Sequence, residues 1–177
     1  MPSPSFRLAT RADIPRIAEI HVAGWETAYR GRIDDGAFAT RTVERRTEQW
    51  REVFDHADRL KDHLLHVAEL DGEIVGFAHW GPSDDDDVDP STTTNVFALY
   101  LDPELRGRGV GRALLDHVLE DAANNGKKLA TLYVLIGNDE AAAFYEKVGW
   151  RPEPGVVKEC LGDGYEAPQY RWRRTLV

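Results

Sequence analysis

Val96-Phe97-Ala98-Leu99-Tyr100-Leu101, followed three residues later by Leu105-Arg106-Gly107-Arg108-Gly109-Val110-Gly111-Arg112, is the stretch that decides the reading of this chain. The apolar run reads as a strand. After the glycines, Val110, Leu114, Leu115, Val118, Leu119 and Ala122 fall at helical spacing, and Asn125-Gly126 ends the helix. A strand, a glycine turn and a helix N-terminus together form an anion site. Glycines let backbone N–H groups crowd together, and the helix dipole favours negative charge there. Arg106, Arg108 and Arg112 add positive charge. A glycine turn with solvated arginines would look the same in isolation; the flanking strand and helix favour a phosphate-bearing ligand.

The spacing narrows that ligand. A nucleoside triphosphate loop reads G-x-x-x-x-G-K-[ST], and no Lys-Ser or Lys-Thr follows these glycines. A dinucleotide fingerprint reads G-x-G-x-x-G near the start of a βαβ unit, whereas here Gly107, Gly109 and Gly111 alternate past the middle of the chain.

The rest of the chain supplies a mixed α/β pattern. Residues 6–9 read as a first strand, with Thr10 or Asp13 capping a helix that carries Pro15 in its first turn. A break falls near Tyr29-Arg30-Gly31, a turn at Asp34-Asp35-Gly36, and a second helix over residues 43–57. Residues 64–70 and 73–80 are strands joined by Asp71-Gly72, a two-residue hairpin signal. Residues 96–101 and 129–136 are further strands, with Asn138 or Asp139 capping a short helix that stops at Gly149. Residues 156–160 and 165–173 close the sheet. We expect a frayed start over residues 1–5 and one domain over 6–177.

Composition sets outer limits. At 177 residues the chain suits one domain, and 42% hydrophobic with 30% charged residues suits a soluble globular protein. No basic start leads into an apolar stretch and no run is long enough to span a bilayer, so a cytoplasmic protein without a membrane partner is expected. Cys160 is the one cysteine, and it reads as an inert strand residue. The net charge of −9 argues against nucleic acid. The excess is local: residues 61–105 hold eleven acidic side chains and only Lys61. Asp84-Asp85-Asp86-Asp87 and Asp89 read chiefly as a solvated loop, and otherwise as a field that attracts a cationic amine.

Arg106 to Gly111 also match R/Q-x-x-G-x-G/A, and Asn138-Asp139-Glu140-Ala141-Ala142-Ala143-Phe144-Tyr145-Glu146-Lys147-Val148-Gly149-Trp150 resembles N-x-x-A-x-x-F-Y-E-K-x-G-F. Both blocks, in this order, resemble the GCN5-related N-acetyltransferase (GNAT) superfamily. The clear resemblance covers about residues 94–150. It implies the acyl-CoA N-acyltransferase fold, with about seven strands, about four helices and a central splay between the strands at 96–101 and 129–136. Acetyl-coenzyme A would lie in that gap as cosubstrate. Its pantetheine would pair with the edge at Leu99, Tyr100 and Leu101, and its pyrophosphate with N–H groups of Arg106, Gly107, Arg108, Gly109, Val110, Gly111 and Arg112. Asn138 and Phe144 would contact the cofactor chain. A homodimer is common in the family.

The implied reaction is direct acetyl transfer to a primary amine of a small molecule or protein. Tyr145 stands where the family places the acid that protonates the leaving thiolate, and a backbone N–H near Leu101 would hold the oxyanion. An alkylammonium must lose a proton before attack, yet residues 96–101 carry no carboxylate. Glu26, Glu69 and His79 are the candidate bases, but each reads first as a structural or solvent-facing residue, and the base stays unassigned. Trp25 and Tyr29 could wall the acceptor pocket and stack on a cation, or pack in the core. His63, His66 and His79 do not have metal-ligand spacing. A non-catalytic acyl-CoA sensor of the same fold is the alternative.

Overall fold

A computed structural model describes residues 3–56, 62–162 and 165–176. Seven strands form one sheet in the order β1-β2-β3-β4-β5-β7-β6. β1 (Ser5–Leu8), β2 (Leu64–Leu70), β3 (Glu73–Pro82) and β4 (Thr93–Leu101) run antiparallel in turn. β5 (Leu129–Leu135) is parallel to β4, and the hairpin of β6 (Arg151–Gly162) and β7 (Tyr165–Thr175) adds on through β7. The described helices are α1 (Ile14–Tyr29), α2 (Gly36–Ala39), α3 (Val43–Asp55), α4 (Val110–Asn124) and α5 (Asp139–Lys147).

The mixed α/β sheet is the expected one, and its boundaries correct the sequence reading in places. Ser5 belongs to β1, paired with Glu69, so the expected frayed start is too long. Asp34-Asp35-Gly36 opens the short helix α2, because Asp34 Oδ1 accepts the Gly36 N–H at 2.8 Å and starts the turn. Expectations for Met1, Pro2, Ala57 and the Cys160 side chain lie outside the described residues. Asp71 and Gly72 both have positive φ, +53° and +84°, as the two-residue hairpin requires.

Two apolar clusters cover the two faces of the sheet. Ile14, Ile17 and Ile20 of α1 and Trp50 of α3 pack on Val67 and Phe77. Leu114, Leu115 and Val118 of α4 pack on Ala68, Ala78 and Ala130, with Trp150. Adjacent residues such as Val67 and Ala68, or Phe77 and Ala78, go to opposite clusters. That is the alternation of a pleated strand covered on both faces.

β4 is longer than expected at its start, and the addition matters. Thr93, Thr94 and Asn95 pair with Leu129, Ala130 and Thr131, and no pair between the two strands follows. The vertex is fixed by buried polar groups. The Thr131 hydroxyl lies 3.2 Å from the Thr94 carbonyl and 3.1 Å from Asn95 Oδ1, and the Thr94 hydroxyl donates to the Gly81 carbonyl at 2.8 Å. Immediately after it, Trp80 pairs with Val96 and His79 with Ala98, which leaves Phe97 as the extra residue of a β-bulge. A bulge bends its strand. Here it turns β4 away from β5 where their pairing stops.

The acidic loop between β3 and β4 is neither solvated throughout nor an open field. Arg171 of β7, its side chain only 4% exposed, holds Asp87 at 2.6 and 2.7 Å, Asp85 at 3.3 Å and Glu153 at 2.8 Å. The Tyr133 hydroxyl donates to Asp85 at 2.5 Å, and Lys158 pairs with Asp84 at 3.2 Å. The loop is therefore fastened across β5, β6 and β7 by charge-assisted bonds.

Two consequences are measurable. Replacing Arg171 with Met leaves Asp85 and Asp87 without their cation, while Glu153 keeps Arg173, and should cost about 3 kcal/mol in urea unfolding; an unchanged midpoint would mean that water solvates these carboxylates. At the other edge, Arg7 bonded to Asp13 at 2.7 Å, aided by Thr10, holds the buried Asp13 carboxyl down at about 2. Because the folded value lies below the unfolded one, this stabilisation is complete above about pH 4 and disappears as pH falls towards 2. It is worth about 2 kcal/mol. Asp13→Asn should lower stability at neutral pH and flatten its decline between pH 4 and 2.

Candidate active site

The glycine turn lies at the end of β4 beyond a single 3-10 turn, Pro103–Leu105, capped by Asp102. Asp102 is itself held by Arg16 of α1 at 2.6 Å. Gly107 and Gly109 have φ of +76° and +81°, which side chains with a Cβ disfavour, and Gly109 is the N-cap of α4. Gly111 meets Leu101: a Cβ there would stand 2.9 Å from Leu101 Cδ1. Val110 is buried while the turn itself is exposed. Among the described residues, no acceptor takes the N–H groups of residues 107–112. They form a cluster of donors at a helix N-terminus, suited to a phosphate. Arg106 pairs with Glu140 at 3.3 Å and Arg112 with Asp116 at 3.5 Å, both at the surface. Arg108 is exposed.

Beyond Asn95 the facing edges of β4 and β5 are apart. Leu99, Tyr100 and Leu101 keep their pairs with β3 on one side, so the opposite edge is available to an extended chain. Leu99 and Leu101 pack towards α4, and Tyr100 towards α1. α5 sits by this gap. Asn138 Oδ1 caps it by accepting the Ala141 N–H at 3.2 Å, so one end of that amide already has a structural task. Phe144 packs edge-on to Tyr145, and Tyr145 edge-on to the fully buried Trp150.

Tyr145 belongs to the α4-side cluster by its ring, yet its phenol is coupled to Tyr29 and Tyr100 from the other face. Tyr29 and Tyr100 are hydrogen-bonded, and Tyr145 interacts electrostatically with both. Burial, then the Tyr29 phenol, pushes Tyr145 above the ordinary phenol value, so it stays protonated throughout the neutral range. Tyr100 is raised by burial and by its interaction with Tyr29.

On the α1 side of the splay lies a cavity of about 260 Å³ walled by His21, Trp25, Trp50, His79, Phe97 and Tyr100, with Arg41, Arg46 and Gln49 among its polar groups. Trp25 and His79 both line it. Tyr29 does not line it, but is hydrogen-bonded to Tyr100, which does. Glu26 does not: it lines a second cavity of about 400 Å³ on the far side of Trp25, and is ion-paired with Arg30. Glu69 is bonded to Arg7 on the outer strands, which removes it as a base. His66 also lies elsewhere, against Asp121 and His117 of α4. Trp25 does not await a cation from outside, because the Arg41 guanidinium carbon lies 3.8 Å from its ring centroid. With the aspartates of the loop tied to Arg171 and Lys158, a cationic acceptor loses both of its sequence-based supports.

Sequence reasoning missed Arg41, Trp50, His21, Phe97 and the vertex trio Thr94, Asn95 and Thr131. An apolar residue in the highly charged α3 was the available signal for Trp50. Nothing local distinguishes Arg41.

Comparison with known proteins agrees with this geometry. Residues 17–150 match the Acetyltransferase (GNAT) family. An uncharacterised N-acetyltransferase of Archaeoglobus fulgidus is 30% identical over 151 residues, 85% of this chain and 95% of that protein. One from Methanocaldococcus jannaschii is 32% identical over 95 residues, 54% of this chain but 42% of the relative, so the chain spans under half of that protein. Among solved structures, the PaiA N-acetyltransferase from Thermoplasma acidophilum in complex with coenzyme A superposes with a TM-score of 0.75 at 20% identity, over 98% of this chain and 99% of that one. YncA from Salmonella typhimurium with its cofactor acetyl-CoA gives 0.69 at 19% identity, over 99% and 95%. The chain belongs to the GNAT acetyltransferase family, enzymes that take their acetyl group from acetyl-coenzyme A.

Proposed function

We propose that this protein is an N-acetyltransferase that moves the acetyl group of acetyl-coenzyme A directly to a primary amine within a ternary complex. The observation that carries this reading is the position of Tyr145. Its protonated phenol interacts with Tyr29 and with Tyr100, which lies on the unpaired stretch of β4 and lines the aromatic cavity. The pantetheine amides extend the open edge at Leu99, Tyr100 and Leu101, and the pyrophosphate takes the unpaired N–H groups after Arg106. The thioester then lies beside Tyr145, with the amine arriving from the cavity at its other face.

Each stage has a group suited to it. A backbone N–H near Leu101 stabilises the oxyanion of the tetrahedral intermediate. Tyr145 protonates the thiolate as the C–S bond breaks. Asn138, its Oδ1 engaged in capping, offers its amide nitrogen to the cofactor chain, and Phe144 packs beside it. The acceptor is an amine small enough for an aromatic-walled cavity, or the end of a peptide side chain. A cytoplasmic homodimer accompanies this reading by family resemblance, and sedimentation of the purified protein checks the dimer.

Two experiments test it. Acetyl-coenzyme A at 100 times its Kd should raise the stability of the native state by about 2.7 kcal/mol, read as a rise in Tm; no rise at millimolar ligand would contradict the cofactor site. Tyr145→Phe should lower kcat about 100-fold in a thiol-release assay across a panel of amines, with KM for acetyl-coenzyme A nearly unchanged. An unchanged kcat removes Tyr145 from the acid role. A wild type that binds the cofactor but acetylates no amine would be a sensor.

A further inference from the structure

The proposed chemistry leaves the ammonium proton without an exit, and one cluster bordering the cavity supplies it. His79 lies in the cavity wall, and its Nε2 is 3.2 Å from Nδ1 of His63. The two rings are held as a pair. Phe97, the bulged residue of β4, stacks over both, with ring centroids at 5.3 and 5.2 Å. Gly81 makes room beneath: a Cβ there would stand 2.6–2.8 Å from Nδ1, Cγ and Cε1 of His63. Trp50 packs edge-on against His79 from α3. Both rings are half-buried, but His79 lines the cavity while His63 does not and follows the exposed Asp62, so the pair leads away from the cavity.

We propose that His79 takes a proton from the acceptor amine at Nδ1 while passing its own Nε2 hydrogen to His63 Nδ1, and that His63 releases its Nε2 hydrogen to solvent. This inference rests on the N-acetyltransferase reading above. The proton count closes. An ammonium must lose two protons to become an amide nitrogen. One leaves through His79 and His63. The second leaves nitrogen as the tetrahedral intermediate collapses, and replaces the proton that Tyr145 gives to sulfur.

Electrostatics explains why two rings serve where one would not. Burial, and then the neighbouring ring, hold His79 down at about 4, so it is neutral at working pH and a poor resting place for a proton. In a relay it gains one proton as it gives up another, and no net charge stays in the cavity. The charge appears instead on His63, which burial also holds below the ordinary imidazole value, but where Asp62 and Asp84 oppose that burial.

The test uses two isosteric acceptors of the intact protein: benzylamine, protonated at neutral pH, and phenylhydrazine, neutral there. Thiol release is measured after subtracting the uncatalysed rate. His79→Gln should slow benzylamine acetylation about 100-fold and phenylhydrazine acetylation by no more than about threefold. His63→Gln should slow benzylamine about tenfold, since water partly replaces the outer ring, and leave phenylhydrazine unaffected. Equal losses on both acceptors overturn the relay and leave the histidines as packing. A second readout needs no acceptor. Nitrogen-15 spectra of the histidines should show His79 as the Nε2–H tautomer and His63 Nδ1 unprotonated; an Nδ1–H tautomer at His79 overturns the proposal. A wild type that releases thiol with no amine overturns the transferase reading itself, which the spectra distinguish from failure of the pair.

Discussion

The parting of β4 from β5 after three pairs is the constraint on which the rest of this molecule depends. Two adjacent parallel strands would ordinarily satisfy each other's N–H and C=O groups along their length. Here the vertex is held by the buried hydroxyls of Thr94 and Thr131 and the Asn95 amide, and the bulge at Phe97 turns β4 outward at the next residue. The result is an edge within the middle of a sheet. An extended ligand can complete it without competing with either neighbour, since β3 and β7 occupy the outer edges.

That gap also connects two compartments that the sheet would otherwise separate. α4 presents its unpaired N–H groups at one end, suited to a cofactor's phosphates. α1 and α3 wall an aromatic cavity on the opposite face. Tyr145 belongs to both, with its ring packed in the α4-side cluster and its phenol coupled to Tyr29 and Tyr100. In the proposed reaction, donor and acceptor reach one point from opposite sides of a single sheet, with Tyr145 as the acid. The same bulge that opens the gap lifts Phe97 onto the His63–His79 pair, so strand geometry and proton path share one cause.

Charge in this protein is partly taken up by pairs between distant elements. The run of aspartates looks like a field in a one-dimensional sequence, but its carboxylates are taken up by Arg171, Lys158 and Tyr133. Trp25 likewise already carries a cation, Arg41. Both are long-range pairings between residues far apart along the chain. The net charge of −9 is therefore a poor guide to what the cavity admits.

By itself the sequence determined whatever depends on near neighbours along the chain. The Asp71-Gly72 turn, the helical spacing behind Gly109, the Asn138 cap and the alternation of glycines are short-range geometry, so the fold class and the donor-rich turn at the start of α4 were legible. The splay was expected only through family resemblance, and its cause was not visible. Thr93, Thr94 and Asn95 are polar and do not read as a strand until Leu129, Ala130 and Thr131 are seen to pair with them, and a bulge exists only relative to a partner strand. Tertiary structure alone decided the acceptor side. It placed Glu26 behind Trp25, tied Glu69 to Arg7, brought Arg41 onto an indole and set His63 against His79. Those outcomes depend on which distant side chains meet, a property of packing that local spacing does not encode.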